Sequence, residues 1–551
     1  MRKQVLVLVC LLPFLQTLHA QDTIAPADLN TAARLFDMHF TQPEIDSMYD
    51  GVKDTQDKLH RYFHKKYLPN NVPMSLWQNP ATTAAAANAD TAINQWPIPA
   101  GVQLPANKNE LAFYSIPQLA SLIKYKKISS VELTRFFINR IKQYGDSLHC
   151  LISLTEDIAM QQAQQADAEI AAGKYRGPLH GIPYGLKDLF AVKGTKTTWG
   201  AAPFKDQVIE EDAYVYTRLR NAGAVLVAKL TLGALAMGDK WYGGKTRNPW
   251  NLENGSSGSS AGSAAATVAG LLPFAIGTET WGSIISPAST CGATGLRPTF
   301  GSISRTGAMA LSWSLDKIGP LCRSAADAAI VFDYIRGTDG KDLSAATHTF
   351  HFKSKTDIHT LKIAYARNYF RRLRDSSNNE FAVLETFRKM GAELIPIDFP
   401  DSGIYVKPTM PIIIGAESAA AFDELTRTNL DDQLTYQTKD DWPNNFRTSR
   451  FISAADYVNA CRQRFVLQQR VNAVLSQYDA VICPNWAGNE SAITNLTGNP
   501  AICFPTGFNA QKLPTSISLI GKLNGEAALL QLVNLYQQAT SWNKQHPALF
   551  Q

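Results

Sequence analysis

The chain has 551 residues, of which 45% are hydrophobic, 10% aromatic and 18% charged, with a formal net charge of +6. This size and composition support a large buried core, in one big α/β domain or several smaller ones, and exclude collagen-like, disordered and coiled-coil chains. A positive charge so mild and so evenly spread argues against a nucleic-acid partner.

The first segment carries Arg2 and Lys3, an apolar run from Val5 to Leu15, and then Leu18-His19-Ala20 before Gln21. A basic start, an apolar stretch and a small residue at the cleavage position read as a signal peptide over 1–20, cleaved near Ala20. The expected address is therefore the periplasm or the exterior. The apolar run is too short to span a bilayer and no later segment is long enough, so no stable membrane insertion is expected. Six of the seven cysteines follow this segment: Cys150, Cys291, Cys322, Cys461, Cys483 and Cys503. They are far apart, with no CxxC, and read as buried thiols, with one disulfide left open by an oxidising compartment.

Residues 21–110 read as a helical N-terminal extension. Thr41 as N-cap and Pro43 open a helix that carries Met48, Val52 and Leu59. His60 and His64 have the i, i+4 spacing of metal ligands, but with no third ligand nearby they read as a surface pair, and no metal or cofactor is expected. Residues 81–94 and then Pro97 to Pro105 read as a loose connector.

From Ser115 the chain settles into alternating helices and strands. Two helices fill Ile116 to Tyr144, and Asp157 to Gly173 is an alanine-rich helix ending at glycine. A helix over Ala213 to Asn221 leads into a buried strand over Ala222 to Ala228. Strands at Leu361 to Ala366 and Ala392 to Ile397 bracket a helix, and Tyr478 to Pro484 is a further buried strand. Residues 400–470 are helical and aromatic, as in a cap that covers a substrate. There are no internal repeats.

The densest information lies between Gly255 and Pro298. A Ser/Gly loop, Gly255 to Ser263, runs at once into the small apolar stretch Ala264 to Ile276, a buried helix followed by a strand. A flexible linker would lead into polar residues or a new domain instead. A glycine-rich turn opening a buried helix points backbone N–H groups at a ligand. Upstream, Lys187 sits among Ile182, Leu186, Leu189 and Phe190, and no histidine occurs between Gly181 and Thr347. This combination points to a serine nucleophile activated by an amine. A lysine accepts a proton only when neutral, and with an ordinary pKa of ~10.4 about one in 2,500 is neutral at pH 7. Lowering the pKa to neutrality takes about 4.6 kcal/mol, which apolar burial can supply.

Several phrases in this order resemble the amidase signature family: Gly177 to Asp188 (GPLHGIPYGLKD), Arg247-Asn-Pro-Trp-Asn251, the Ser/Gly loop, and Gly277-Thr-Glu-Thr-Trp-Gly-Ser283. Asp316-Lys-Ile-Gly-Pro320 and Asn495-Leu-Thr-Gly-Asn-Pro-Ala501 extend the match, which runs from about Ile116 to the C-terminus. The resemblance implies an α/β/α sandwich around a large mixed sheet over 111–551, and amide hydrolysis through an acyl-enzyme without metal or cofactor. It also implies a Lys–Ser–Ser triad, here Lys187 as base, Ser259 in a cis peptide as proton relay and Ser283 as nucleophile. The oxyanion hole falls on the backbone N–H groups of Thr280, Trp281, Gly282 and Ser283. The implied partner is a small-molecule or peptide amide, and the extension leaves room for a homodimer. A family member that feeds ammonia to a transamidation partner is disfavoured by the export segment and the extension.

Two positions depart from the family pattern. Trp281 replaces a glycine in the oxyanion loop and is expected to send its indole into the substrate pocket. Ile285 stands where the family often has arginine, which weakens any carboxylate recognition there. Two rival readings use the same residues. Gly258-Ser-Ser260-Ala-Gly262 satisfies GxSxG, which would make Ser260 the nucleophile with His348, His351 or His359, although Leu252 to Gly255 does not read as the strand that motif requires. The other rival is an inactive binding protein on an amidase scaffold. Two SxxK matches, Ser121 to Lys124 and Ser314 to Lys317, lack companion motifs and read as chance.

Overall fold

The computed structural model describes residues 24–65, 67–76, 92–373, 378–400 and 406–551. The signal-peptide reading, with Arg2, Lys3 and Ala20, lies outside the described residues, as does most of the expected connector at 81–94.

An eleven-stranded mixed sheet organises the chain. Its strands are β1 (Leu151–Leu154), β2 (Pro183–Lys187), β3 (Val225–Leu230), β4 (Phe274–Glu279), β5 (Thr294–Arg297) and β6 (Lys317–Cys322). They continue as β7 (Ile363–Ala366), β8 (Leu394–Ile397), β9 (Ala480–Pro484), β10 (Ala501–Phe508) and β11 (Pro514–Ile520). The order across the sheet is β1-β3-β2-β4-β6-β5-β10-β11-β9-β7-β8. Neighbours β3, β2 and β4 run parallel, as do β9, β7 and β8. The strands between β4 and β9 pair antiparallel.

Period-two alternation splits the core between the two faces. Along β9, Ala480 and Ile482 join one apolar cluster while Val481 and Cys483 join the other. Helices Ile116–Lys124, Ala325–Ile335 and Glu526–Ala539 pack into the first cluster, and Ala454–Leu475 with Ala261–Val268 into the second. The result is the α/β/α sandwich that the family resemblance implies. All six described cysteines are buried and free, and no disulfide links them.

Two helices precede the sheet, α1 (Pro26–Leu35) and α2 (Gln42–Tyr62). The Glu44 carboxylate accepts from the Thr41 N–H at 2.6 Å and from its hydroxyl at 2.8 Å, which fixes the start of α2 where Thr41 and Pro43 predict it. Ile45, Met48, Val52 and Leu59 are buried on one side of α2. The segment from Pro97 to Pro105 is held rather than loose. The Ser121 hydroxyl donates to the Pro99 carbonyl at 2.5 Å, and the Lys127 ammonium to the Val102 carbonyl at 2.8 Å. Side chains from the first domain helix and the loop after it thus satisfy backbone groups that a solvated connector would leave to water.

Leu252 to Gly255, expected not to be a strand, is one: Asn251–Gly255 pairs with Arg247–Asn248 in a separate two-stranded ladder. The polar sequence Asn-Leu-Glu-Asn-Gly hides it, because exposed strands outside the main sheet need no apolar alternation. No described helix is long and apolar enough to cross a membrane.

Candidate functional site

Lys187 is the last residue of β2, and the parallel neighbour β4 ends at Glu279, so both deliver side chains to the same end of the sheet. Carboxyl ends of adjacent parallel strands are where open α/β sheets place ligands. Ser259 and Ser260 precede the buried helix α3 (Ala261–Val268), and Ser283 precedes α4 (Ile285–Cys291).

The Lys187 ammonium nitrogen lies 2.8 Å from Ser259 Oγ, 2.8 Å from Thr278 Oγ1 and 3.3 Å from Ser260 Oγ. It is fully buried, and this burial pulls its pKa down to about 7, against the smaller upward pull of Asp316 and Glu279. The Gly258–Ser259 peptide is cis. Position 258 admits only glycine, because a Cβ there would sit 1.9 Å from the Gly238 carbonyl oxygen. Ser283 is joined to this loop through its carbonyl, which accepts from the Ser260 N–H at 3.1 Å. Among the described residues, the backbone N–H groups of Thr280, Trp281, Gly282 and Ser283 have no hydrogen-bond acceptor.

Buried charge holds the loop between β4 and α4. Glu279 accepts from the Ile284 and Ile285 N–H groups at 2.8 and 2.9 Å, from Arg297 at 2.9 Å and from the Asn495 amide at 2.8 Å. Burial alone would raise this carboxyl, but Arg297 and these donors hold it near 2. On the other side of the loop, Thr280 donates to Asp316 at 2.6 Å, and Asp316 accepts from the Leu311 and Ser312 N–H groups. The Trp250 indole donates to the Cys291 carbonyl at 2.8 Å and Asn248 to that of Thr290, bracing the end of α4. The scattered sequence phrases therefore meet around one loop.

A second buried lysine escaped the sequence reading. Lys229 on β3 pairs with Asp188 at 2.8 Å, both fully buried, and Asp188 also accepts from the Thr198 N–H and hydroxyl. Asp188 therefore serves Lys229 and leaves Lys187 without a carboxylate partner. The signal was a lone charge in the apolar run Ala222 to Leu230. Thr278 was equally missed, because an ordinary strand threonine carries no motif.

A cavity of about 490 Å³ opens beside these groups, lined by Gly258, Thr280, Trp281 and Ser283 together with residues of 408–452 and of α2. Trp281 is 46% exposed and lies on the cavity wall. Ile285 is buried and donates its N–H to Glu279.

Neither the GxSxG nor the SxxK motif assembles a site. Ser260 Oγ donates to the Thr278 carbonyl at 3.0 Å and accepts from its N–H at 3.1 Å, and no histidine lines the cavity. Ser121 bonds Pro99, while Ser314 bonds Glu417 and Arg464. His64 meets Asp456 at 3.2 Å. No cluster of three or more His, Cys, Asp or Glu able to hold a metal occurs among the described residues.

A profile of the Amidase family matches residues 132–493. The chain belongs to the amidase signature family. It is 34% identical over 481 residues to a protein of Coxiella burnetii (strain Dugway 5J108-111) named as a subunit of glutamyl-tRNA(Gln) amidotransferase, a match covering 79% of this chain and 99% of that relative. Among solved structures, the native peptide amidase of Stenotrophomonas maltophilia superposes with a TM-score of 0.68 at 27% identity, covering 78% of this chain and 98% of that one. The 6-aminohexanoate cyclic dimer hydrolase shares the fold, with a TM-score of 0.70 at 21% identity over 80% of this chain and all of that one. This amidase is an amide-hydrolysing enzyme, built on the mixed sheet that the family resemblance implies.

Proposed function

We propose that the chain is an exported serine amidase that cleaves a small-molecule or peptide amide through an acyl-enzyme on Ser283. Neutral Lys187 accepts a proton from Ser259 as Ser259 takes the proton of Ser283, whose oxygen attacks the amide carbonyl. The developing oxyanion is met by the unpaired N–H groups of Thr280 to Ser283. Collapse breaks the carbon–nitrogen bond, and the proton returns through Ser259 to the leaving amine. Water, deprotonated along the same path, then attacks the ester, releasing the acid and restoring Ser283.

The observation that carries this reading is the 2.8 Å bond from a fully buried Lys187 to Ser259 beside four unpaired N–H groups. The test is hydrolysis of a panel of peptide, aliphatic and aryl amides by wild type, Lys187→Ala and Ser283→Ala, with fluorophosphonate labelling in parallel. Loss in both variants, and labelling that requires Ser283, are expected. Activity that survives Lys187→Ala overturns the assignment of the base, and an unlabelled, inert wild type favours a binding protein. Export is tested by the N-terminal sequence of the protein recovered from the periplasm or medium, expected to begin near Gln21.

The similarity to an amidotransferase component over 99% of its length supports a second reading, in which ammonia passes to a partner chain. Release of free ammonia by the isolated chain, with no protein co-purifying, decides for the first.

A further inference from the structure

The first reading takes a substrate with a body on one side of its carbonyl, and the cavity walls say what that body is. We infer that helix α2 is part of the substrate site. Its stripe of Gly51, Asp54, Thr55 and Lys58 walls the cavity at Ser283 and selects amides with a long apolar body ending in a hydrogen-bonding group. The inference rests on the serine-amidase reading for its chemistry, but its geometry stands separately.

Helix α2 has two working faces. Ile45, Met48 and Val52 are buried against Leu29 of α1, as any surface helix would bury them. Gly51, Asp54, Thr55 and Lys58 recur at i, i+3, i+4 and i+7, and all four line the cavity that also holds Trp281 and Ser283. Gly51 and Thr55 are half-buried there, while Asp54 and Lys58 expose much of their side chains to solvent as well as lining the cavity.

The helix is pinned in place. Arg447, on the helix Trp442–Ser449, pairs with Glu44 at 2.7 Å and with Asp431 at 2.8 Å, all three largely buried. At Gly51 the two helices cross so closely that a Cβ would lie 3.1 Å from the Thr448 methyl group. A wall anchored by a buried ion pair and a glycine crossing keeps its distance from the reacting serine.

The wall chemistry is divided. Leu311, Ile412, Ile414, Trp442 and Ile452 supply an apolar stretch, whereas Asp54 and Lys58, ion-paired at 2.5 Å, supply donors and acceptors. A volume of about 490 Å³ falls in the range that holds a drug-sized ligand. A short amide leaves water against the apolar stretch. A long one displaces that water and brings its far end to the α2 stripe.

The experiment compares propionamide, decanamide and 10-hydroxydecanamide as substrates of wild type, Thr55→Trp, Lys58→Ala and Asp57→Ala. Thr55→Trp fills the cavity and should lower the decanamide-to-propionamide ratio of kcat/KM at least tenfold. Lys58→Ala should erase the preference for the hydroxylated chain, and Asp57→Ala, exposed and off the stripe, should leave both ratios at the wild-type value. Calorimetric binding of the same amides in a Ser283→Ala background gives the ratios without turnover. An inert wild type therefore counts against Ser283 chemistry, while unchanged ratios in Thr55→Trp and Lys58→Ala overturn the role of α2.

Discussion

Replacing Lys187 by methionine should both abolish amide hydrolysis and reverse the pH dependence of relative stability. The side chains are close in length and shape, so packing changes little. In the fold the lysine has a pKa of about 7, against an ordinary 10.5. At 1.36 kcal/mol per pH unit, that gap makes the charged buried lysine cost about 5 kcal/mol wherever both states are protonated, which is below pH 7. Methionine removes this cost and also loses the bonds to Ser259 and Thr278, at about 1 kcal/mol each. The variant should be more stable than wild type by about 3 kcal/mol at pH 6. Between pH 7 and 10.5 the unfolded wild type holds the extra proton, so wild-type stability rises with pH and overtakes the variant at about pH 9. Urea unfolding at pH 6 and pH 10 measures both differences, with other titrating groups cancelling between the two proteins. A Lys187→Met variant that is less stable at both pH values would show that Lys187 is not held neutral, and would refute the reasoning.

The same titration predicts that kcat/KM falls tenfold per pH unit below about 7, and a profile flat from pH 5 to 8 would exclude Lys187 as base. Glu279→Gln leaves Arg297 buried without its partner at a cost of about 3–5 kcal/mol, and should slow fluorophosphonate labelling of Ser283 by loosening the Ile284 and Ile285 anchors. Because Glu279 is held near 2 against an ordinary 4.5, its contribution is complete above pH 4.5 and lost as pH falls towards 2, so the variant should unfold less steeply in acid. Trp281→Gly opens the cavity wall beside Ser283 and should change the order of preferred amides; unchanged turnover and preference together would remove Trp281 from the site.

The sequence made the local parts of this molecule readable. The capped start of α2, the β7–β8 crossover and the buried helix after the Ser/Gly loop each follow from a period, a cap or a run of small residues. Lys187 was legible because it sits among apolar neighbours, whereas Ser259 and Ser283 were singled out by the family resemblance. What stayed hidden depends on partners distant in the chain. Nothing near Lys229 announces Asp188, and nothing near Glu279 announces Arg297 and Asn495. The stripe on α2 looks like an ordinary solvated face until residues some 400 positions later fold against it. Asn251–Gly255 was missed for the opposite reason, as an exposed ladder that needs no apolar pattern.

Lys187, Ser259 and Ser283 all come from the one continuous stretch 181–298, whereas much of the cavity wall comes from 51–59 and 408–452. On the proposed reading, reaction and recognition are thus written in separate parts of the gene. On that reading, substitutions at 51–59 or 408–452 reshape the wall without replacing Lys187, Ser259 or Ser283. A lineage built on that reading could change its substrate by drift or by exchange of short segments while keeping its reacting groups.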